Sequence, residues 1–436
     1  MVKTQGPLSG FRDLLSEQML IRDEILSKIK SVYELYGYVP LKTPALELLE
    51  TLSGKYGEEG DKLMYSFEDN GGRKVALRYD QTVPLARVMA QYSETLPKPY
   101  KRYVVGDVWR GESPQAGRFR EFTQFDADIV GTSSYTADIE ILAMMSDTMK
   151  AIGVETTIYV NDRRILDGLS RKCGIDTQKE FIKLVSVIDK IDKIGKSAVL
   201  REIEKMIGEN GRKLVDQFLS IEGSKKQKIT EISRIIDDKP TTEACNQLIN
   251  ILEVLDQAGY SDSQITFDQT IARGLSYYTG TIFETKIRKL PGIGSVCSGG
   301  RYDKLIEQLG GPNLPAIGTS IGIDRLLDGM KQLDLTNNLK TKTQVYIVNL
   351  SPGLDKERFK MAKDLRDNSI PTEIIYEDSR LKNQLRNIDR LGVAEVILYG
   401  ETEKQKKTFI AKNLAKNTQE EVPLAQLIDY YKNKLT

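Results

Sequence analysis

The spacing of apolar residues changes twice along the chain, and this change restricts the folds available to it. Strand-type segments dominate before residue 160, whereas from residue 161 to residue 261 apolar residues recur at helical spacing, as in Phe181, Leu184, Val185 and Ile188. Strand-type segments return in ITFDQTIARGLSYYTGTIFETKI and SVCSGGRYDKLIEQLGG. The pattern predicts one antiparallel-sheet domain that a helical insertion divides.

The first part of this domain is predicted to contain two helices and a β-hairpin. Residues 16–36 show helical periodicity and end before Gly37, a typical helix stop. KVALRYD is predicted to be a strand, and TVPLARVMAQY a helix with Pro84 in its first turn. YKRYVVGDVWR and RFREFTQFDADIVG are predicted to be the two strands of the hairpin.

The last part of the chain is predicted to form a separate domain. The polar run KQLDLTNNLKTKT is typical of a linker. After it, strand-type segments (QVYIVNL, PTEIIY, EVILYG and KTFIAKN) alternate with helical segments around residues 359–365 and 381–391. This alternation indicates an α/β domain of about 95 residues.

The composition excludes several kinds of catalytic site. The 436 residues include no histidine, which excludes Ser-His and Cys-His nucleophile pairs, histidine-ligated metals and imidazole acid–base chemistry. Cys173, Cys245 and Cys297 are too dispersed for a disulfide framework or a zinc knuckle. Catalysis must therefore depend on arginine, lysine, carboxylates, hydroxyl groups, backbone dipoles or a bound cation.

Charge and hydropathy indicate an ordinary globular protein. The net charge of +1 does not point to nucleic acid, although phosphate contacts require only a local basic surface. No apolar run approaches the roughly 18 residues of a membrane span, so no membrane partner is expected. The N-terminal segment MVKTQGPLSGFRDLLSEQ lacks an apolar signal core, and a cytoplasmic location is therefore expected.

The second strand of the predicted hairpin has an unusual polar face. Because side chains alternate between faces, one face carries Arg120, Phe122, Gln124, Asp126 and Asp128. A solvated sheet face is one explanation. The other explanation is that this face binds an extended ligand, because Phe122 and Asp128 are about 20 Å apart at roughly 3.3 Å per residue. Arg110 and Arg118 flank the turn and suit a phosphate, because guanidinium groups donate bidentate, permanently charged hydrogen bonds.

Three glycine-containing segments provide further candidates. SGGRYDKL is predicted to be a glycine-rich turn that opens a helix, where the backbone can approach a ligand closely. ARGLSYYTG and PAIGTSIGIDRLL contain Arg273 and Arg325 and fit the floor of a ligand site. Cross-strand aromatic packing and a tight helix–strand corner are the alternative explanations of these two segments. GKS at residues 195–197 is not a P-loop, because Lys190 occupies the position of the required glycine.

Several of these segments, in this order, resemble the histidyl-tRNA synthetases, which are class II aminoacyl-tRNA synthetases. LKTPALE, WRGESPQAGRFREFTQFDADIVG and IGTSIGIDRLL resemble the three class II motifs. LRYDQTVPLAR, ARGLSYYTGTIFE and SVCSGGRYD resemble segments peculiar to the histidine enzymes, and LKNQLRNIDRLG, GETE and KNL resemble their anticodon-binding domain. The resemblance covers almost the whole chain except the helical insertion, which matches loosely.

The resemblance implies an α+β fold with a class II antiparallel sheet flanked by helices. The catalytic core is expected in residues 1–160 and 262–332, the helical insertion in residues 161–261, and an α/β anticodon-binding domain in residues 343–436. A homodimer is expected, because motif 1 usually forms the subunit interface of class II enzymes.

The resemblance also assigns roles to individual residues. The expected catalytic residues are Arg110, Arg273 and Arg325. The expected ATP-binding residues are Arg110, Glu112, Arg118, Phe122 and Arg325, with adenine on Phe122 and Mg²⁺ near Glu112. The expected histidine-binding residues are Asp80, Gln81, Thr82, Gln124, Asp128, Tyr277 and Tyr278. Asp80, Thr82 and Gln124 would hold the α-amino group, while Asp128 and Tyr278 would bind the imidazole. Gln115 and Arg120 are expected to reach the acceptor end of the tRNA.

The reaction that the resemblance implies has two steps and needs no histidine in the protein. The carboxylate of L-histidine attacks the α-phosphorus of ATP to give histidyl-adenylate and pyrophosphate, and the histidyl group then passes to the 3′ end of histidine tRNA. Fixed positive charge and geometry matter more here than a proton acceptor. Three residues depart from the family pattern: Gly111, Ser276 and Ser298. None replaces a charged group that is expected to contact ATP or histidine. The departures are therefore expected to affect the reaction rate and the substrate affinity more than the kind of reaction.

Two other functions are compatible with the same resemblance. A regulatory paralogue would keep the fold and sense histidine, but such proteins commonly lack the C-terminal domain or the ATP-binding arginines. A synthetase-like module that binds uncharged tRNA for signalling would be accompanied by a kinase segment, and this sequence shows no such segment. The sequence favours the aminoacylating enzyme over both.

Overall fold

The protein was analysed as a computed structural model, which describes residues 6–115, 117–272, 277–336, 339–376 and 380–435. The chain forms two compact units, Met1–Asp13 with Ile25–Thr336, and Leu14–Glu24 with Asn337–Thr436. No helix in the described ranges is long and apolar enough to cross a membrane.

The first unit is built on eleven described strands. These are β1 Val39–Pro40, β2 Leu46–Leu48, β3 Ser66–Glu68, β4 Lys74–Leu77, β5 Tyr100–Trp109, β6 Glu121–Val130, β7 Thr156–Asp162, β8 Ile265–Phe267, β9 Thr281–Ile287, β10 Ser295–Arg301 and β11 Ala316–Gly322. The α-helices that begin before residue 336 are α1 Ser16–Leu35, α2 Leu49–Leu52, α3 Gly57–Lys62, α4 Thr82–Tyr92, α5 Thr136–Ala151, α6 Arg163–Lys172, α7 Gln178–Ile188, α8 Ile191–Ile194, α9 Lys196–Leu219, α10 Lys225–Ile236, α11 Lys239–Gln257 and α12 Ile323–Gln332.

An eight-stranded sheet carries the first unit. Its strand order is β1-β5-β6-β11-β10-β9-β7-β8. The five inner pairings from β5 to β7 are antiparallel, and only the two edge pairings, β1 with β5 and β7 with β8, are parallel. A smaller antiparallel sheet has the order β2-β4-β3. The predicted α+β fold and the hairpin of β5 and β6 are therefore confirmed.

Helices α6–α11 lie between strands β7 and β8 in the chain, as the apolar spacing predicts. Leu248, Ile251, Leu252 and Leu255 form the buried face of α11. In α7 the buried residues are Phe181, Leu184, Val187 and Ile188, so Val187 is buried where the predicted stripe had Val185. The helical period is thus correct, but the exact face depends on the neighbouring helices.

The prediction of a turn and helix for SGGRYDKL is wrong. Residues 298–301 continue strand β10, and the only helical turn nearby is the 3₁₀ helix Glu307–Leu309. The reason is the close packing of the sheet: a Cβ atom on Gly299 would lie 2.1 Å from the carbonyl oxygen of Gly318 on the neighbouring strand β11. The glycines therefore permit close contact between strands and do not form a turn.

The second unit contains a five-stranded sheet of order β13-β12-β14-β15-β16. Its strands are β12 Val345–Asn349, β13 Thr372–Ile374, β14 Glu395–Tyr399, β15 Thr408–Asn413 and β16 Thr418–Pro423, and its remaining helices are α13 Asp355–Asp367, α14 Leu381–Arg390, α15 Glu401–Lys406 and α16 Leu427–Leu435. Strands β12, β13 and β14 pair in parallel, whereas β15 and β16 are antiparallel. The sequence pattern did not identify β16, α15 or α16.

Gly299→Ala is expected to destabilise the protein by about 1–3 kcal/mol, because the added methyl group has no space against the backbone of β11. Gly292→Ala is the matched control, since a Cβ atom there meets nothing within 4 Å. Urea denaturation followed by far-UV circular dichroism measures both changes. Similar midpoints for the two variants would contradict the packing explanation.

Candidate active site

A buried ion pair lies at the centre of the large sheet. The register of the β5–β6 pair places Arg102 directly opposite Asp128. Arg102 Nη2 lies 2.7 Å from Asp128 Oδ2, and both side chains are almost completely buried. Arg102 also donates a hydrogen bond to the Gln81 carbonyl oxygen. The pair therefore fixes the position of a carboxylate inside the protein.

Glycine on the next strand provides the space that Asp128 occupies. Gly318 on β11 is the register partner of Asp128 on its other side. A Cβ atom on Gly318 would lie 1.9 Å from Asp128 Oδ1, so no larger residue fits while Asp128 keeps this position. Similarly, a Cβ atom on Gly300 would lie 3.0 Å from the ring of Tyr278. These glycines adapt the sheet to the polar side chains of the site.

Asp80 is a second buried carboxylate, at the start of α4. Its Oδ1 accepts hydrogen bonds from the backbone N–H groups of Thr82 and Val83 at 3.1 and 3.0 Å, which satisfies two free donors of the helix. The hydroxyl groups of Tyr56 and Tyr277 also donate to Asp80, at 3.0 and 3.2 Å. Asp80 thus joins the helix terminus to the tyrosines.

A cavity lies beside Asp128 and the first residue of α4. Its lining residues are Thr82, Asp128, Tyr277, Tyr278, Ser298, Gly299, Tyr302, Gly318, Thr319 and Ser320. Thr82, Asp128, Tyr277 and Tyr278 are predicted histidine-binding residues, and the structure brings them together. Gln81 lies outside the lining, although its side chain is buried and its amide atoms have no hydrogen-bond partner among the described residues.

Tyr302 is a site residue that the sequence prediction missed. Its hydroxyl group donates a hydrogen bond to Asp128 Oδ1, and its ring lies 5.9 Å from the ring of Tyr277. The segment SGGRYDKL contained part of the signal, because it was already a candidate for close approach of the backbone to a ligand. Only the pairing of β10 with β11 shows that its tyrosine faces Asp128.

The cavity is surrounded by an excess of buried acid. Burial raises the pKa values of Asp80 and Asp128 and raises that of Asp126 to about 7. The positive charge of Arg102 opposes this rise at Asp126 and Asp128. Three buried carboxyl groups (Asp80, Asp126 and Asp128) thus lie close to one fully buried cation, Arg102. Such a region favours a ligand that carries positive charge.

The hairpin turn carries the predicted phosphate-binding residues. The Arg110 guanidinium lies over the rings of Tyr79 and Phe122, at 4.4 and 5.1 Å from their centroids. Arg118 and Glu112 form an ion pair across the turn. Arg118 is exposed and Arg110 is only partly buried, so a polyanion can approach them.

Helix α12 packs against the same turn. Arg325, in its first turn, donates a hydrogen bond to the Ser295 carbonyl oxygen at 2.8 Å. A Cβ atom on Gly117 would lie 3.8 Å from Arg325 Cγ, so the turn and this arginine are neighbours. Asp324 accepts a hydrogen bond from the Thr123 backbone N–H at 2.7 Å and fixes the helix to β6. Three predicted ATP-binding arginines (Arg110, Arg118 and Arg325) thus lie on elements that pack together around this turn.

The remaining predicted residues have different environments. Gln115 is exposed at the tip of the turn. Arg120 donates hydrogen bonds to the Glu112 and Ser9 carbonyl oxygens, at 3.0 and 3.2 Å, and so holds the base of the turn. Arg273 and the unusual Ser276 lie outside the described residues.

The other two departures from the family pattern have a structural context. The Gly111 N–H donates to the Leu63 carbonyl oxygen at 2.7 Å, and a Cβ atom on Gly111 would lie only 3.2 Å from that oxygen. A longer side chain there would require the backbone of residue 63 to shift. Ser298 is exposed on the wall of the cavity.

Comparisons with known proteins agree with this geometry. The family model of histidyl-tRNA synthetase matches residues 10–326, and that of the anticodon-binding domain matches residues 344–434. The chain is 38 % identical over 419 residues to the histidine–tRNA ligase of Rhodopirellula baltica, covering 95 % of this chain and 94 % of that protein. It is also 38 % identical over 430 residues to the histidine–tRNA ligase of Aeropyrum pernix, covering 97 % and 96 %.

A solved structure supports the same assignment. The crystal structure of histidyl-tRNA synthetase from Nostoc sp. PCC 7120 matches with a TM-score of 0.87 and 30 % identity, and the match covers 100 % of both chains. The fold and the three arginine-bearing elements are those of a class II aminoacyl-tRNA synthetase. Within that class, the chain belongs to the histidyl-tRNA synthetase family.

Arg102→Met is expected to lower the free energy of unfolding by about 3–5 kcal/mol, because it leaves Asp128 as a buried charge without a partner. The loss should be smaller at low pH, where Asp128 can take up a proton. Arg73→Met is the control: it removes an exposed ion pair with Asp69 and should cost no more than about 1 kcal/mol. Urea denaturation at pH 5 and pH 8 measures both, and equal losses would show that burial of the pair is unimportant.

Proposed function

We propose that this chain is a histidine–tRNA ligase, which activates L-histidine with ATP and transfers it to the 3′ end of its tRNA. The observation that carries the proposal is one continuous strand, β6, with arginine side chains around its first residues and a cavity lined by Asp128 near its last residues. An amino acid and ATP bound along this strand would meet between the two ends.

The cavity suits the imidazole ring of histidine. A neutral imidazole presents one N–H donor and one nitrogen acceptor. Asp128 is held by Arg102 and Tyr302 but keeps lone pairs that can accept from the ring, and the Tyr278 hydroxyl can donate to it. Amino acids without these nitrogens would leave buried polar groups unpaired, a penalty on the order of 10⁴-fold or more.

The α-amino group is proposed to bind near the start of α4. Thr82 lines the cavity, and Asp80 lies two residues before it in the chain and accepts a hydrogen bond from its backbone N–H. Gln124 Oε1 is buried and has no hydrogen-bond partner among the described residues, so it is available as an acceptor. Together these acceptors suit an ammonium group, which only donates.

The activation step requires positive charge around ATP. We propose that Phe122 supports the adenine, and that Arg110, Arg118 and Arg325 bind the phosphates, with Arg273 at the α-phosphate. These arginines would neutralise the charge that develops when one anion attacks another. Arg110 directly follows β5, Arg118 lies in the turn and Arg325 lies on α12, and these positions reduce the reorganisation required. None of these roles requires a proton acceptor, so the absence of histidine is no obstacle.

Mg²⁺ is proposed to bind together with ATP near Glu112. The described residues contain no cluster of three or more potential metal ligands. A single carboxylate nevertheless fits the preference of Mg²⁺ for one or two carboxylates combined with substrate phosphates. When bound, the ion would neutralise phosphate charge, and Glu112 would exchange its pairing with Arg118 for the ion.

The tRNA and subunit partners follow from the remaining surfaces. We propose that residues 343–436 bind the anticodon of histidine tRNA, while Gln115 and Arg120 act near the acceptor end.

A homodimer is supported by Leu46, Leu48 and Phe67, which are exposed apolar residues on the small sheet that includes motif 1. A cytoplasmic location remains a prediction from the sequence.

ATP–pyrophosphate exchange with each amino acid separately tests the proposed function. Exchange is expected with L-histidine alone, because only its side chain satisfies the buried acceptors and donors of the cavity. Charging of histidine tRNA should follow under the same conditions. Histidine binding without exchange would support a histidine-sensing regulatory protein instead.

Asp128→Asn is expected to raise the KM for histidine at least 100-fold while leaving the KM for ATP nearly unchanged, because Asp128 lies in the cavity and away from the turn. Asp128→Ala should have the same effect but also destabilise the protein, since Arg102 loses its partner. Steady-state exchange kinetics measure both constants. Equal losses for histidine and ATP would refute the assignment of Asp128.

A further inference from the structure

Asp126 is a buried carboxyl group for which the roles above give no use. It lies on β6 between Gln124 and Asp128, and its side chain is 2 % exposed. Its Oδ1 has no hydrogen-bond partner among the described residues. A buried carboxyl group with an unsatisfied oxygen is costly, so stability alone does not explain its presence.

Ser320 connects Asp126 to Gln124. In the register of β6 and β11, Ser320 lies directly opposite Asp126, and their side chains are joined by a hydrogen bond. The Ser320 hydroxyl oxygen also accepts a hydrogen bond from Gln124 Nε2 at 2.7 Å. Ser320, the middle member of these three linked polar side chains, lines the cavity, so the chain meets the cavity wall at Ser320.

When Asp126 is ionised, the donors and acceptors of this chain permit only one orientation. An ionised carboxylate can only accept, so Ser320 must donate its single hydroxyl hydrogen to Asp126. Ser320 can then only accept from Gln124, which turns the amide nitrogen of Gln124 toward Ser320 and its Oε1 away. Gly322 lies opposite Gln124 on β11, and a Cβ atom there would have no neighbour closer than 3.9 Å, so space remains beside the amide.

We propose that Asp126 is a positioning residue for the amino-acid substrate: acting through Ser320, it holds Gln124 with Oε1 directed at the substrate α-ammonium group. This inference rests on the proposed function, in which Gln124 binds that group. Without the negative charge of Asp126, Ser320 can donate to Gln124 instead, and the flipped amide would present its N–H₂ group to the ammonium.

The charge around Asp126 supports this arrangement. The pKa of Asp126 is raised to about 7: burial and the negative charges of Asp128 and Asp80 raise it, while Arg102 and the hydrogen bond to Ser320 oppose the rise. The charged and titratable groups that face it from the neighbouring elements are Arg102, Asp128, Asp80, Arg78, Cys297, Tyr33 and Tyr278. A substrate ammonium adds positive charge to this environment and so favours the ionised form of Asp126.

The experiment compares two ligands that differ only in the α-amino group, L-histidine and imidazole-4-propionate, by titration calorimetry without ATP. Asp126→Asn and Ser320→Ala should each weaken L-histidine binding about tenfold or more, the usual effect of one hydrogen bond to a charged group. Binding of imidazole-4-propionate should stay within about twofold. The double variant should be no weaker than Ser320→Ala, because both changes break one chain.

Asp107→Asn is the matched control, because Asp107 lies on the other face of the hairpin and is bonded to the Thr123 hydroxyl group. It should leave both affinities unchanged. Equal weakening of the two ligands in Asp126→Asn would indicate a general collapse of the cavity and overturn the proposal, as would unchanged L-histidine binding.

Proton release provides a readout that a purely structural role would not change. Near pH 7, binding of L-histidine should shift Asp126 toward its ionised form and release a fraction of a proton, detected from the buffer dependence of the binding enthalpy. The wild-type release should exceed that of Asp126→Asn, and identical values would overturn the proposal. If the wild type shows no exchange activity but Asp126→Asn still selectively weakens L-histidine, the ligase proposal fails while this inference stands.

Discussion

The buried ion pair between Arg102 and Asp128 determines much of the structure around it. A carboxylate in the middle of a sheet is costly unless a cation and hydrogen-bond donors satisfy it. Arg102 supplies the charge from β5, Tyr302 supplies a hydroxyl group from the loop after β10, and Gly318 supplies space on β11. The neighbouring elements are thus all adapted to one charged group. Removal of one member of the pair would leave the other as a buried charge without its partner.

This constraint also links the fold to the chemistry. The same strand, β6, carries Phe122 near its beginning and Asp128 near its end, so one rigid element positions both halves of the site. The arginines of the hairpin and of α12 add positive charge at one end, while Asp80, Asp126 and Asp128 add negative charge at the other. Under the proposed function, an anionic nucleotide and a cationic amino group would therefore be drawn to opposite ends. Such separation of charge orients the two substrates before any reaction begins.

Several features could be predicted because their signals are local. The helical period of α11 depends on residues three or four positions apart, and the β5–β6 hairpin depends on alternation along adjacent segments. Family resemblance added proposed roles for Arg110, Asp128 and Tyr278, since each lies within a recognisable motif, and these roles stay predictions. SGGRYDKL was misinterpreted because glycines are usually a sign of turns. Here they permit close contact with β11, which is distant in the sequence.

The sequence by itself determined the order of elements, the chemistry available without histidine and the resemblance to a family. Only the tertiary structure decided which polar groups are partners: Arg102 with Asp128, Tyr302 with Asp128, and Ser320 with Gln124. These residues are between 26 and 196 positions apart in the chain. Strand register brings them together, and register depends on the packing of the whole sheet, which no local pattern of residues records.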